Sequence, residues 1–281
     1  MKNPTSNLDQ KPSLAGYQSP ILSLVKETSD IFRMRLKNPA IATQSEPGQF
    51  LNIRVRDDIL PLLRRPFSIY QTNKREGWIE ILFKVIGRGT ELLSRRRVGE
   101  KLDVLGPLGR GFEIKEGLEL AVVVGGGLGI APLLFLCQEV TERGIKTLFF
   151  YGVKTRTELC SLEGFSSLNA QIQVTTEDGT FGQKGLVTDL LEEFLQSQKN
   201  LRPNIEIFSC GPVQMLKKIK HLALASRAGC QLCLETMMAC GIGICMGCPV
   251  EVKPKSPTDS KYRLVCKDGP VFRAEEVVLP D

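Results

Sequence analysis

Residues 118–144 read LELAVVVGGGLGIAPLLFLCQEVTERG: a buried strand, a glycine turn and a helix. Gly125, Gly126, Gly127 and Gly129 turn the chain directly after the apolar run, and Pro132 suits a first helical turn, where its missing N–H costs nothing. A strand–turn–helix of this kind brings backbone N–H groups and the positive end of a helix dipole against a phosphate. It is not the G-x-G-x-x-G fingerprint, because Ile130 stands where the third glycine would be. A tight turn with no ligand is the plainer alternative.

Toward the C-terminus the pattern repeats. KTLFFYGV (146–153), AQIQVTTED (170–178) and NIEIFSCGP (204–212) read as buried strands. GLVTDLLEEFLQSQ (185–198) and VQMLKKIKHLALASRAG (213–229) read as helices. Strands alternating with helices predict a doubly wound parallel α/β domain over residues 114–228. Ligands in such sheets lie at the carboxyl ends of the strands, so Cys210, Gly211 and Pro212 should share one crevice with the glycine turn. Cys210 would touch a nicotinamide there or fill a small apolar corner.

Toward the N-terminus the rhythm is that of short strands: SPILSLVKETSDIFRMRLK (19–37), EPGQFLNIRV (46–55), LRRPFSIY (63–70), GWIEILFKVI (77–86) and EKLDVLGPLG (100–109). Their spacing predicts an antiparallel β-barrel over residues 19–113. In RPFS (65–68) an arginine beside a serine suits a diphosphate clamp and a flavin contact. A surface arginine next to a strand-edge proline would look the same. GRGT (87–90) offers N–H groups and a hydroxyl at the start of a helix.

Past residue 229 the chain changes character. Cys240, Cys245, Cys248 and Cys266 are spaced C-x4-C-x2-C…C within and beyond CGIGICMGC (240–248), the ligand spacing of a plant-type [2Fe–2S] cluster. Gly241, Gly243 and Gly247 let the backbone curl around an inorganic core and aim N–H groups at sulfur. A zinc ribbon built on Cys230, Cys233, Cys245 and Cys248 is the competing arrangement, but it leaves Cys240 and Cys266 unexplained. Residues 229–281 are therefore expected to form a small cluster domain. A zinc-stabilised interaction module without flavin is the alternative from a different functional class.

The 281 residues carry 42% hydrophobic and 24% charged side chains, the composition of a soluble globular chain of two or three domains. A net charge of +6, with Arg95–Arg97 as its most basic run, is too mild to imply nucleic acid. No apolar stretch is long enough for a membrane span. Residues 1–18 lack an apolar core and read as a mobile tail. Nine cysteines, an odd number, argue against a disulfide framework and for a reducing cytoplasm. Cys137 and Cys160 read as packing residues, and the one histidine, His221, as a helix-surface residue. No catalytic acid or base is expected.

Taken in order, these motifs resemble the ferredoxin–NADP reductase superfamily, and more narrowly the electron-transfer subunits of NAD-linked (B-type) dihydroorotate dehydrogenases. The resemblance runs from about Ser19 to Leu279 and is carried by PLLRRPFSI, LDVLGPLGRGF, VGGGLGIAP, SCGP, CGIGICMGC and VCKDGPVF. It implies that Arg65, Pro66, Phe67, Ser68, Leu82, Phe83, Lys84, Gly89 and Thr90 contact FAD. It further implies that Gly125, Gly126, Gly127, Gly129, Cys210, Gly211 and Pro212 line the NAD crevice, and that Cys240, Cys245, Cys248 and Cys266 bind the [2Fe–2S] cluster. The partner it implies is an FMN-containing catalytic subunit that oxidises dihydroorotate, in a heterotetramer of two of each, for pyrimidine (UMP) biosynthesis. Electrons would pass singly through the cluster to FAD and leave as a hydride to NAD+. The runner-up is the same architecture in a transhydrogenase- or hydrogenase-diaphorase-type complex. Some transhydrogenase relatives place an aspartate among the ligands, whereas all four positions here are cysteine. Lys154 and Arg156 would face a 2′-phosphate or solvent. The longer N-terminal tail and the Cys230/Cys233 pair depart from the family pattern.

Overall fold

Met34 and Leu36, Phe67 and Ile69, and Ile79, Ile81 and Phe83 lie two residues apart on three strands and are buried in one cluster. A period of two puts them on one face of each strand, and a sheet with one such face can close on itself to cover it. In the computed structural model, which describes residues 16–56, 58, 60–198, 204–256 and 258–280, that closure is complete. Strands β1 (Tyr17–Lys26), β2 (Ile31–Lys37), β3 (Phe50–Arg54), β4 (Arg65–Asn73), β5 (Trp78–Lys84) and β6 (Lys101–Leu108) form an antiparallel barrel of order β1-β2-β5-β4-β3-β6. Most of the expected tail lies outside the described residues, and β1 begins at Tyr17, where its first four residues pair with β6. Helix α1 (Pro39–Gln44) is capped by Asn38, whose side chain accepts from the Ile41 N–H at 3.0 Å. Helix α2 (Arg88–Ser94) links β5 to β6.

The second unit alternates as expected. Strands β7 (Leu120–Gly126), β8 (Lys146–Val153), β9 (Ala170–Thr176), β10 (Gln183–Lys184) and β11 (Ile205–Cys210) are parallel. Helices α3 (Leu133–Glu142) and α4 (Glu163–Ser166) bury Leu133, Leu136 and Phe165 on one face of the sheet. Helices α5 (Val187–Ser197) and α6 (Val213–Ser226) bury Leu191, Leu216 and Ile219 on the other. The strand order reverses at β7, whose neighbours are β8 and β11, so the ligand crevice belongs at its carboxyl end. Ile31, Tyr70 and Leu82 project outward from the barrel into the α3 side of this core and fasten the two units together.

Residues after Gly229 do not stand apart as the spacing of motifs suggested. Strand β12 (Gly229–Cys233) pairs in parallel with β11, and β15 (Val271–Arg273) pairs antiparallel with β12. Both complete a seven-stranded sheet of order β10-β9-β8-β7-β11-β12-β15. Only β13 (Pro249–Val252), β14 (Tyr262–Leu264) and β16 (Val277–Val278), with helix α7 (Val265–Asp268), make a separate three-stranded sheet around the cysteine loop. The physical reason is burial: Cys230 and Leu232 face the core of α5 and α6, while Cys233 faces that of α3. A spacing of three on a strand sends side chains to opposite faces, so Cys230 and Cys233 cannot form one knuckle. The zinc ribbon is thereby excluded by geometry.

One polar cluster locks this addition in place. Glu206 of β11, almost fully buried, bonds Arg273 of β15, Gln231 Nε2 of β12 at 3.1 Å and Lys115 of the interdomain linker at 3.3 Å. The Gln231 amide also donates to the Glu113 carbonyl at 2.7 Å and accepts from the Glu113 N–H at 2.9 Å. A Cβ at residue 229 would lie 2.3 Å from the Glu206 carboxylate, which explains the glycine where β12 starts. Removing a buried carboxylate that neutralises a neighbouring guanidinium is costly because the cation is left behind. Glu206→Ala is expected to lower unfolding free energy by about 2–4 kcal/mol in urea titrations. A loss below about 0.5 kcal/mol would mean that the cluster does not hold the sheet edge.

Candidate functional site

The outer face of β4, which carries the RPFS motif and meets the first turn of α2, is the candidate flavin groove. Because Phe67 and Ile69 turn inward, Pro66, Ser68 and Tyr70 turn outward. Arg65, at the start of the strand, lies across the first turn of α2: a Cβ at Gly89 would sit 2.9 Å from Arg65 Nε. The two residues expected to meet one diphosphate therefore touch. The Arg65 guanidinium donates to the Leu63 and Arg64 carbonyls and, among the described residues, has no carboxylate partner. A cation held over a helix start whose one possible Cβ is missing fits a diphosphate such as that of FAD.

Other expected flavin residues have different surroundings. Phe67 and Phe83 pack on each other inside the barrel, ring centroids 5.6 Å apart, so only their backbones face the groove. Leu82 is buried against the α/β unit, and Lys84 pairs with Asp30 at 3.2 Å. The Thr90 hydroxyl is occupied in closing α2, accepting from the Ile86 and Gly87 N–H groups at 3.0 and 3.3 Å.

The glycine turn and the SCGP turn come together at the switch point. A Cβ at Gly129 would lie 2.3 Å from the Cys210 carbonyl oxygen, and one at Gly126 would lie 2.5 Å from Met215 Sδ and 3.0 Å from Pro212. Gly127 has φ of 54° and accepts from the Tyr151 hydroxyl at 3.1 Å. Roles divide among these residues: Gly126, Gly127 and Pro212 line a cleft of ≈ 320 Å³, whereas Gly125 and Gly129 permit close packing behind it. Cys210 is buried beside Cys233, and its Sγ lies 4.0 Å from Glu235 Oε1.

The cleft also contains residues that motif reading missed: Glu158, Thr175, Glu177, Leu186, Thr188 and Lys218. Their signal was positional for five of the six: Glu158 follows β8, Thr175 and Glu177 mark the end of β9, and Leu186 and Thr188 open α5, whereas Lys218 comes from α6. The hydroxyl oxygens of Thr175 and Thr188 are buried without a hydrogen-bond partner. Orphaned hydroxyls in a cleft bounded by a glycine turn fit a polar ligand such as a dinucleotide.

The cysteine loop is shaped around sulfur. Five backbone N–H groups point at its thiols: Gly243 to Cys266 at 3.1 Å, Ile242 and Cys245 to Cys240 at 3.5 and 3.4 Å, Gly247 to Cys245 at 3.4 Å, and Cys266 to Cys248 at 3.5 Å. Positive φ at Gly241 (68°), Gly243 (82°) and Met246 (56°) produces this inward turning of amides. Burial raises the Cys240 thiol, but the donors from Ile242 and Cys245 outweigh it and bring the group down to about 6. Burial and the adjacent Cys248 push Cys266 up to about 12, a conflict that a cationic centre between the two sulfurs removes. Among the described residues no three His, Cys, Asp or Glu side chains converge on a single-ion site. Cys240, Cys245, Cys248 and Cys266 would hold a [2Fe–2S] cluster with two thiolates on each iron.

The loop is also tied to the barrel. Asn52 Nδ2, buried on β3, donates to the Cys240 carbonyl at 2.8 Å, and Asn52 is the cross-strand partner of Pro66. The cysteine loop and the RPFS motif therefore share one strand pair. Gly129→Ala is expected to cost about 1–3 kcal/mol of stability by overpacking and to weaken ADP-ribose binding roughly tenfold, read by thermal melts and calorimetry. Unchanged values for both would show that the two turns need not touch.

Comparison with known proteins finds three matching domains in succession along the chain. Residues 22–112 match the oxidoreductase FAD-binding domain, 123–221 the oxidoreductase NAD-binding domain, and 235–278 the iron–sulfur cluster binding domain of dihydroorotate dehydrogenase B. The dihydroorotate dehydrogenase B (NAD(+)) electron transfer subunit of Bacillus velezensis is 39% identical over 251 residues, covering 89% of this chain and 93% of its own. The subunit of the same name from Bacillus cereus strain Q1 is 37% identical over 252 residues, with the same coverage. A solved NADH-dependent reduced ferredoxin–NADP oxidoreductase superposes with a TM-score of 0.80 at 29% identity, covering 94% of this chain and 90% of that one. A ferredoxin–NADP+ reductase from Neisseria gonorrhoeae shares the fold alone, at a TM-score of 0.64 and 19% identity over 75% of this chain and 92% of its own. With FAD-binding, NAD-binding and cluster-binding domains in that order, and relatives matched along nearly their full length, the chain is an NAD-dependent flavin oxidoreductase subunit and belongs to the family of dihydroorotate dehydrogenase B electron transfer subunits.

Proposed function

We propose that this chain takes electrons from the FMN of a dihydroorotate dehydrogenase catalytic subunit and delivers them to NAD+, in the cytoplasmic synthesis of pyrimidine nucleotides, within a heterotetramer of two of each subunit. The observation that carries the reading is the Asn52–Cys240 hydrogen bond, which holds the four-cysteine loop against the strand opposite the RPFS motif. When bound, FAD exchanges electrons in pairs or singly, whereas the cluster exchanges them one at a time.

The chain's residues then bind and orient. Arg65 across Gly89 holds the flavin diphosphate, Pro66 and Ser68 border the ring's side of the groove, and Leu82 backs the barrel wall from its buried place against the α/β unit. Phe67, Phe83, Lys84 and Thr90 support it through backbone, an ion pair and a helix cap. Gly126, Gly127 and Pro212 receive the dinucleotide, with Gly125, Gly129, Cys210 and Gly211 setting the close approach of the two turns. Cys240, Cys245, Cys248 and Cys266 ligate the cluster, and the five N–H donors stabilise charge on sulfur.

Docking of the catalytic subunit follows from exposure. Met237, Ile244 and Met246 of the cysteine loop are 90%, 73% and 66% exposed. Leu62, 74% exposed, precedes Arg64, whose guanidinium reaches the Asn52 carbonyl under that loop. Ile244 and Met246 flank the exposed Cys245 in the chain, and exposed apolar side chains beside that residue suit a partner that brings a redox centre close and excludes water. Nine free cysteines suit a reducing compartment. Among the described residues no helix is long and apolar enough to cross a membrane. A second reading, a subunit of a ferredoxin–NADP oxidoreductase complex, draws on the TM-score of 0.80.

In the complex purified with its catalytic subunit, Cys266→Ser is expected to abolish dihydroorotate-driven NAD+ reduction, at least a hundredfold by order of magnitude, while NADH still bleaches the flavin band. Dihydroorotate-driven NAD+ reduction retained at the wild-type rate would place the cysteines outside the electron path. Ile244→Glu should release the catalytic subunit on size-exclusion chromatography and leave NADH-dependent flavin bleaching intact. Failure of dihydroorotate to reduce the complex, with ferredoxin succeeding, would favour the second reading.

A further inference from the structure

The cysteine loop carries no positive charge of its own. From Glu235 to Val250 the chain has no lysine, arginine or histidine. Four thiolates on two irons give a [2Fe–2S] centre a net negative charge, and an added electron deepens it, so nearby charge is one of the terms that set its potential. The fourth thiol comes from outside the loop, and a cation comes with it. Lys267 follows Cys266 in helix α7 and is exposed, whereas Cys266 is buried.

The side chain of Lys267 lies along the loop. A Cβ at Gly243 would sit 3.0 Å from Lys267 Cδ, 3.2 Å from its Cβ and 3.4 Å from its Cγ, so the methylene stem runs over this glycine. The Gly243 N–H reaches Cys266 Sγ at 3.1 Å, the shortest of the five contacts from N–H to sulfur. The stem thus covers the amide that meets the fourth thiol, and it carries its charged head out beside the loop. Among the described residues the Lys267 ammonium has no ion pair and no hydrogen bond. Other cations of this region are neutralised: Arg64 by Asp103 at 2.6 Å, Lys255 by Glu276 at 2.7 Å, and Arg273 by Glu206.

We propose that Lys267 sets the potential of the cluster: its unpaired ammonium, held over Gly243, stabilises the reduced and more negative form, so that the loop accepts single electrons more readily. This inference rests on the reading of Cys240, Cys245, Cys248 and Cys266 as the cluster's ligands. One exposed charge acts through a high effective dielectric, which keeps the effect modest. Lys267 raises the ratio of reduced to oxidised cluster at a fixed potential about three- to tenfold, which is ~30–60 mV for a one-electron couple.

The test is a dye-mediated potentiometric titration of the full, cofactor-loaded chain, read by the electron paramagnetic resonance of the reduced cluster. Lys267→Met keeps a stem of similar length and removes the charge, and should lower the ratio about three- to tenfold. Lys267→Glu should lower it further, and Lys267→Arg should stay within about twofold of wild type. Lys255→Met, which removes a like charge after β13, should leave it unchanged. A Lys267→Met midpoint equal to that of wild type would overturn the proposal. So would an equal fall in Lys267→Arg, which would assign the effect to packing of the stem, or in Lys255→Met, which would assign it to overall charge. Lys267→Gln carries the same comparison if the methionine variant loses its iron. A wild-type chain that gives no reduced-cluster signal would overturn the ligand reading itself, and the proposal with it.

Discussion

A side-chain amide on a barrel strand holds the cysteine loop: Asn52 donates to the Cys240 carbonyl, and a Cβ at Gly241 would lie 2.5 Å from the same nitrogen. The loop has few other means of being placed. Its residues from Cys240 to Gly247 form neither helix nor strand, and the amides of Ile242, Gly243, Cys245 and Gly247 are directed inward at sulfur. Position must therefore come from outside the loop. Asn52 supplies it from the strand that pairs with the RPFS motif, so the relation between the flavin groove and the thiols is fixed by one residue with both as neighbours.

The barrel, in turn, can serve as a reference frame because its interior is filled by alternation alone. Met34, Ile69, Ile81 and Phe83 pack where the strands close, leaving the outward positions free for other tasks. Tyr70 and Leu82 spend theirs on the α/β unit, and Ser68 and Arg65 on the groove. The α/β unit divides its glycines in a similar way. Gly126 and Gly127 face the cleft, whereas Gly129 lets the turn after β7 lie against the Cys210 carbonyl.

Much of this was legible because it is local. Period-two alternation announced the barrel, and alternating strands and helices announced the doubly wound sheet. The spacing of Cys240, Cys245, Cys248 and Cys266 announced the cluster loop but left a zinc ribbon open, which only the facing of Cys230 and Cys233 into opposite cores excludes. What stayed hidden depended on long-range pairing. Nothing near GCQLC (229–233) indicates that it lies beside β11, and VFR (271–273) is too short to read as a sheet edge. Motif identity also overstated side-chain roles. Phe67 and Phe83 fall in the flavin motifs, yet parity along the strand turns both rings into the barrel. Thr90 has the right residue type, but its hydroxyl is consumed by the helix start. Glu158, Thr175, Glu177 and Thr188 belong to no motif and share a cleft only after β8, β9 and α5 are brought together.

The return of β12 and β15 to the dinucleotide sheet bears on how such a chain can be rearranged in evolution. A cluster unit hung on a linker could be exchanged between reductases as a cassette. Here a cut at Gly229 would strip two strands from the sheet, leave Glu206 without Gln231 and Arg273, and expose the Glu113–Lys115 linker. The iron–sulfur segment is therefore inherited together with the dinucleotide-binding sheet, and recombination that respects folding stability must exchange the two as one piece.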